Sequence, residues 1–505
     1  MAVKRNVFKA ALGLSMVSIL SKLLGFAREQ AIAWRFGAGA AVDTYVAALA
    51  IPTLISGVVG GALSTAFLPV YSEARSTKEG RQLAGIVSGV NALLGVLGSL
   101  AALYFAPFLV RVLVGNFPAE QQAQTVLLLR ILSFGTLLMS VSFFLTMIFN
   151  SHRQFILPAL NPVIQNIMIV AGVLLFGAGG IVYVASVTLA AMAVPVVLLV
   201  AWALYKNYPL LARLRLNDPR FVKVLKLALP IFVAGLFGQL YMVVDRRLAS
   251  GLDAGSIASL NFANRLVQLP FGIFVMALST VVFPALADLA AQGNKKGFGE
   301  ALSAGLRAMV ILLVPATVGL IVLRHPIVRL AFERGSFDAT DTAKTAFALG
   351  FYALGLLGLS TGTVLTRAFY SLHDTITPVK IGILTAMLQA LLAILLVYPL
   401  AHGGLALANS IGVSLGAIAM FILLRKSLGR LSMGVTALLG KVFLCSLGMG
   451  LVSHFLYVLA SPLGDIVALA AAVGGGVAVY GAGLLALQVD EATWVLRKIY
   501  QIGKQ

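Results

Sequence analysis

Charge and cysteine are scarce in this sequence. Only 11% of its 505 residues are Asp, Glu, Lys or Arg, and Cys445 is the one cysteine. A single thiol excludes an internal disulfide and any cysteine-based metal site, so Cys445 reads as a small packed apolar residue. The five histidines show no metal-ligand spacing. No P-loop, His-Glu-x-x-His or Gly-x-Ser-x-Gly pattern occurs. No hydrophilic stretch is long enough to house a glycosyltransferase or polymerase domain, which argues against an enzyme. Strand-like alternation is absent too, and that excludes a membrane β-barrel.

What remains is apolar. The chain is 60% hydrophobic with a mean hydropathy of +1.00, the signature of a polytopic membrane protein. The expected fold is all-α. Stretches of about 20 apolar residues, enough to cross a bilayer, number about fourteen. Their cores are 10–34, 43–70, 84–113, 124–149, 156–177, 181–204, 224–249, 256–287, 301–323, 343–369, 379–400, 404–425, 436–459 and 464–487. The basic N-terminus leads into a run too long for a signal peptide and interrupted by Lys22 and Arg28, so it is expected to be a retained first span. The net charge of +20 does not call for nucleic acid. Its cations crowd into alternate loops, such as Arg75–Arg81, Lys206–Lys226 and Arg425–Arg430, while the opposite loops are short and nearly free of them. The exception is the Arg324–Ala339 loop. This bias predicts that both termini are cytoplasmic. Trp34 and Trp202 fall near span ends, where interfacial aromatics belong. The tail 489–505 reads as an amphipathic helix on the inner surface.

The sequence also repeats itself. Ser64–Pro69 followed by Glu73 resembles Ser279–Pro284 followed by Asp288, and Phe149, Ser151 and Pro158 match Phe369, Ser371 and Pro378. Spans 1–6 are therefore expected to recur as spans 7–12 in the same orientation. The predicted organisation is an N-terminal lobe at 1–205, a cytoplasmic linker at 206–223 and a C-terminal lobe at 224–430. Two extra spans at 431–488 and the tail follow.

Ionisable residues inside the spans are few, and each needs a reason. A cation at bilayer depth costs on the order of several kcal/mol unless it faces a polar cavity or a partner. Span 1 carries Lys22, Arg28 and Glu29, with Arg35 nearer its outer end. Lys22 and Arg28 are six residues, roughly 9 Å, apart along a helix. They stand about 120° apart around it, whereas Arg28 and Arg35 share a face. Gly25 lies between the inner two and permits a bend or a close neighbour. Span 8 holds Asn261, Asn264 and Arg265. Lys22, Arg28 and Arg265 are the candidates for binding an anion. The bland alternatives are that Lys22 pairs with Glu29 or snorkels and that Arg35 only reaches headgroups. Asp43, at the start of span 2, either caps a helix start or partners Arg28 or Arg35 in a gate. Asp245 in span 7 is a candidate for ion coupling or for a structural ion pair. Glu333–Asp338 reads as a solvated turn and helix cap.

Several segments together resemble one family. Ser21–Glu29, Phe36–Gly39 with Asp43, Ile51-Pro52, Ala66–Val70, Ala263–Leu266, Leu269–Gly272, Glu333–Phe337 and Arg367–Tyr370 run in the order found in the lipid II flippases, the MurJ or MviN family of the MOP exporter superfamily. The resemblance implies fourteen helices in two lobes. It also implies a substrate, the undecaprenyl-pyrophosphate-linked peptidoglycan precursor, moved from inner to outer leaflet. The cavity cations of that family map onto Lys22, Arg28 and Arg265, and its span 2 acid onto Asp43. A pyrophosphate suits such a set, because Arg binds its oxygens bidentately and Lys acts as a point charge. The chain departs from the family pattern at Lys22, where Arg is usual, and at Thr53, Ser56, Gly61, Asn264 and Gln268. The last three replace acids, so the family's inner gate cannot be assumed. A sodium site proposed for some members would involve spans 7 and 11, where Asp245 is the one obvious candidate and span 11 offers Gln389 but no acid.

The sequence thus predicts a lipid II flippase working by alternating access through a central cationic cavity. It would be monomeric in the bacterial inner membrane, in contact with membrane lipids and with no nucleic acid partner. No cofactor is expected, and the driving force is left between sodium and the membrane potential. A flippase for another polyprenyl-pyrophosphate-linked glycan and a drug or cation antiporter of the same superfamily stand as alternatives. The antiporter should carry carboxylates in its cavity rather than cations.

Overall fold

The computed structural model describes residues 2–74, 77–210, 215–429, 435–491 and 493. Most of the tail expected to lie on the inner surface, including Trp494, falls outside them. All described secondary structure is helical. Nine helices are long and apolar enough to cross a membrane, or eleven with two bent pairs each taken as one span. One of the nine, α15 (Ile376–Leu428), is two spans joined at Ala401, whose φ of 45° breaks the helix. Helices α1 (Ala2–Phe36) and α10 (Ser256–Ala291) are as long as the others. Together these account for the fourteen spans, each at its expected place. Leucines and phenylalanines cover the exterior, Leu97, Phe108, Leu175 and Leu451 among them. With lipid as the solvent, that is the stable arrangement, provided helices satisfy every backbone group internally.

Residues Met1–Ala258 with Arg334–Asp338 form one compact unit, and Ser259–Glu333 with Ala339–Gln505 the other. The first contains α1, α2 (Ala40–Ala74), α3 (Lys78–Tyr104), α4 (Ala106–Val114), α5 (Ala119–Leu132), α6 (Gly135–Ser151), α7 (Ile156–Phe176), α8 (Ile181–Tyr205) and α9 (Pro219–Ala249). Here α2 packs on α3, α5, α6 and α9, and α1 packs on α7. Phe67, Tyr71, Leu83, Ile86, Phe144 and Phe221 form its largest described core. The second contains most of α10, then α11 (Lys295–Val322), α12 (Arg324–Phe332), α13 (Ala339–Leu354), α14 (Leu356–Ser371), α15, α16 (Val435–Ala460) and α17 (Asp465–Ala486).

Local structure recurs along the chain in the register the sequence repeats suggested. The side chains of Thr77 and Asn294 each accept from the backbone N–H three residues on, capping α3 and α11. Short nine-residue helices, α4 and α12, follow those two. The next span is bent in both halves, by 42° between α5 and α6 and by 43° between α13 and α14. Both bent spans end in the same turn. Arg153 and His373 adopt φ of 60°, and the next N–H, of Gln154 or Asp374, returns to the carbonyl of Phe149 or Phe369. This is the left-handed helix stop that satisfies terminal carbonyls.

Candidate functional site

Among the polar side chains described inside the first unit, three acidic residues gather partners around them. The first is Glu29, beside Arg28. Helix α1 lies against α7, and Gly25 permits the approach: a Cβ there would stand 3.4 Å from the amide nitrogen of Asn166. Arg28 Nη2 donates to Glu29 Oε1 at 2.6 Å, and Nη1 donates to Asn166 Oδ1 at 3.1 Å. Asn166 in turn donates to the carbonyl of Ser21 at 3.2 Å. The guanidinium is thus clamped between an acid on its own helix and an amide on the next. Its side chain keeps 19% exposure, against 5% for Glu29. Glu29 therefore meets Arg28 rather than Lys22. Neighbours in a helix do not normally face each other, but both side chains are long enough to reach round. Lys22 is half-buried and forms no ion pair among the described residues. Arg35 lays its aliphatic stem along Gly177, at the far end of α7.

Asp43 makes the second group. It is 1% exposed and caps a helix, though not its own. Oδ2 accepts from the N–H of Gly255 at 2.6 Å and Oδ1 from that of Ala258 at 2.7 Å, at the start of α10. A carboxylate suits this place, because the first N–H groups of a helix lack partners and carry partial positive charge. Gly255, with φ of 88°, lies so close to the carbonyl of Ala38 that a Cβ would collide with it. Nearby, Ser336 completes the end of α1. Its N–H donates to the carbonyl of Trp34 at 2.8 Å and its hydroxyl to that of Arg35 at 3.1 Å. Gly335, with φ of 62°, leaves room for that approach.

Asp245 is the third. It is buried on α9, with the Tyr241 hydroxyl donating to it at 3.4 Å and Arg246 Nη1 forming an ion pair with it at 3.9 Å. Arg247 points elsewhere and donates to the carbonyl of Arg111 at 2.8 Å. In the second unit, Arg265 is exposed on α10, and Asn261 and Asn264 are half-buried. Among the described residues no three His, Cys, Asp or Glu stand close enough together to hold a metal ion.

Comparison with known proteins places this arrangement. The family model for the lipid II flippase MurJ matches residues 32–472. The chain belongs to the lipid II flippase MurJ family. The MurJ lipid II flippase of Burkholderia cenocepacia is 28% identical over 447 residues, covering 83% of this chain and 84% of that one. A probable MurJ flippase of Haemophilus influenzae is 29% identical over 464 residues, covering 86% and 89%. A solved MurJ structure in an inward closed conformation superposes with a TM-score of 0.82 at 26% identity, covering 94% of this chain and 99% of that one. An inward-facing MATE transporter of the MOP superfamily shares the fold at a TM-score of 0.67 and 18% identity, covering 83% and 98%. Membership of the MurJ family makes the chain a multi-pass membrane transporter and not an enzyme.

Sequence reasoning missed Asn166. The available signal was an uncharged amide in the middle of an otherwise apolar span, where a polar side chain commonly bonds across helices.

Proposed function

We propose that this protein moves lipid II from the inner to the outer leaflet of the bacterial cytoplasmic membrane. The match of residues 32–472 to the lipid II flippase family carries the reading. In this proposal the pyrophosphate is held by Lys22, Arg28 and Arg265, while the polyprenyl tail stays in lipid. Arg28 is supported by its setting: two partners orient its guanidinium, and part of it remains exposed. The protein acts as a monomer with both termini cytoplasmic. Its two lobes, spans 1–6 and 7–12, alternate access; the recurrent order of caps, short helices and bent spans supports that division. Asp245 already meets Tyr241 and Arg246, so no coupling ion is invoked. The membrane potential, worth about 2.3 kcal/mol per charge per 100 mV, acts on the cationic site instead.

Depleting the protein in cells and measuring lipid II accessibility from each leaflet tests the function. Lipid II should accumulate on the inner side, and unchanged accessibility would reject the reading. Charge reversal, Arg28→Glu, tests the site, because normal lipid II export by that variant would remove Arg28 from it.

A further inference from the structure

A cavity of about 720 Å³ opens within the second unit, walled by α11, α12 and α16. One end of it is apolar, lined by Val318 and Val322 of α11 and by Leu447 and the outward-facing Leu451 of α16. Its other end is basic, formed by Arg324, His325 and His454. The two ends separate along the helices. From Leu447 to Tyr457 a helix rises about 15 Å, half of a hydrocarbon core of about 30 Å, a length that suits one acyl chain.

The basic end is not neutralised locally. No acid lines the cavity. Two carboxylates of the neighbouring elements are already engaged: Asp465 by Arg329 at 3.3 Å and by the Tyr457 hydroxyl at 3.3 Å, and Glu333 by Arg329 at 3.6 Å and by the Thr342 hydroxyl at 2.6 Å. Among the described residues Arg324 hydrogen-bonds only the carbonyl of Ile321, at 3.3 Å. Helix α12 starts at this same end with no side-chain cap, so its N-terminal dipole adds positive potential. The fold does not demand these cations. In the corresponding short helix of the first half, α4, the residues before the shared proline are Phe105 and Ala106, where α12 has Arg324 and His325.

We propose that this cavity binds an anionic glycerophospholipid, its phosphate against Arg324, His325 and His454 and an acyl chain along the α11–α16 wall. The combination selects such a lipid. A soluble anion would have no use for the apolar slot, and a zwitterionic lipid would bring its own cation to a basic mouth. The assignment is independent of which lipid the protein transports.

Lipid retention by the purified full chain, delipidated in detergent and followed by native mass spectrometry, tests the proposal. Phosphatidylglycerol should bind in preference to phosphatidylethanolamine of identical acyl chains. Arg324→Gln with His454→Gln should weaken phosphatidylglycerol binding roughly tenfold, as expected for losing charged hydrogen bonds, and leave phosphatidylethanolamine unchanged. Gly450→Leu fills the slot, where even an added Cβ would stand 2.9 Å from Val318, and it should weaken binding with every charge retained. Should that variant not fold, the surface Gln pair still decides. Equal binding of the two lipids, or undiminished phosphatidylglycerol binding by the Gln pair, overturns the proposal. So does displacement of phosphatidylglycerol by an equimolar polyprenyl phosphate, which would give the cavity to a prenyl lipid.

Discussion

Glu29→Gln should make this flippase bind its substrate more tightly. In the structure Glu29 holds Arg28 at 2.6 Å, so an incoming pyrophosphate must compete with a carboxylate for the same guanidinium. The glutamine is nearly isosteric and keeps one hydrogen bond, with Asn166 still in place as the second partner. What is lost is the charge on the acceptor. Hydrogen bonds to charged groups contribute about 1.5–3 kcal/mol, and because the arginine stays charged the contact falls from the upper to the lower end of that range. The competing contact therefore weakens by about 1.4 kcal/mol, which is a tenfold gain in affinity for the pyrophosphate. The assay is binding of labelled lipid II to the purified chain, run as a double-mutant cycle with Arg28→Gln. Glu29→Gln should tighten binding about tenfold in the wild-type background and leave it unchanged in Arg28→Gln. If Glu29→Gln instead weakens binding as much as Arg28→Gln does, Glu29 positions the guanidinium and the competition argument fails.

Three further outcomes follow from the same geometry. Asn166→Leu removes an acceptor from Arg28 and a donor from the Ser21 carbonyl, so lipid II affinity should fall about tenfold, and an unchanged affinity would show that Asn166 does not orient the guanidinium. Asp43→Asn places an N–H against an N–H at the start of α10, costing about 1–3 kcal/mol; hydrogen exchange at Gly255–Ala258 should quicken, and unaltered exchange would show the cap to be idle. Asp374 precedes α15 and accepts from the Thr377 hydroxyl, with the N–H groups of Thr377 and Ile376 assisting. These bonds hold its carboxyl below the ordinary value of 3.8. Its capping contribution is therefore present above about pH 4 and lost as pH falls through the lower folded-state value, a fall that Asp374→Ala should abolish in thermal unfolding measured from pH 6 down to pH 3.

The spans were legible because a bilayer demands long apolar runs, and a run of that length has no other use. Their breaks were not. The span expected at 84–113 divides at Phe105, and those at 124–149 and 343–369 bend near Phe134 and Gly355. A hydropathy run carries no sign of direction, and the neighbours that accept such bends are distant in sequence. At the site, charged side chains announced themselves by their cost in an apolar span, but their partners stayed hidden for definite reasons. Asp43 bonds backbone N–H groups more than 200 residues away, and backbone donors have no letter in the sequence. Asn166 carries no charge and so raised no question. The Arg28–Glu29 contact runs against the helical-spacing rule.

These hidden partners change the weight of the argument from buried charge. Two cations in the first span pointed to an anion, with Glu29 weighed as a partner for Lys22 alone. Arg28 now has one on its own helix, so its cost inside the membrane is met without any substrate, and its presence alone no longer implies a ligand. Lys22 is different, since no described acid approaches it. In the proposed site its charge, about one and two-thirds turns before Arg28 on the same helix, is the one that an arriving pyrophosphate would neutralise without displacing anything. Arg28 would then follow by exchanging Glu29 for phosphate. Lys22 should accordingly govern the salt dependence of capture, since an unpaired surface-accessible cation is screened by ions. Arg28 and Glu29 should govern release. Lys22→Gln should flatten the salt dependence of lipid II association while leaving the dissociation rate nearly unchanged. A changed dissociation rate with unaltered salt dependence would reverse the two roles.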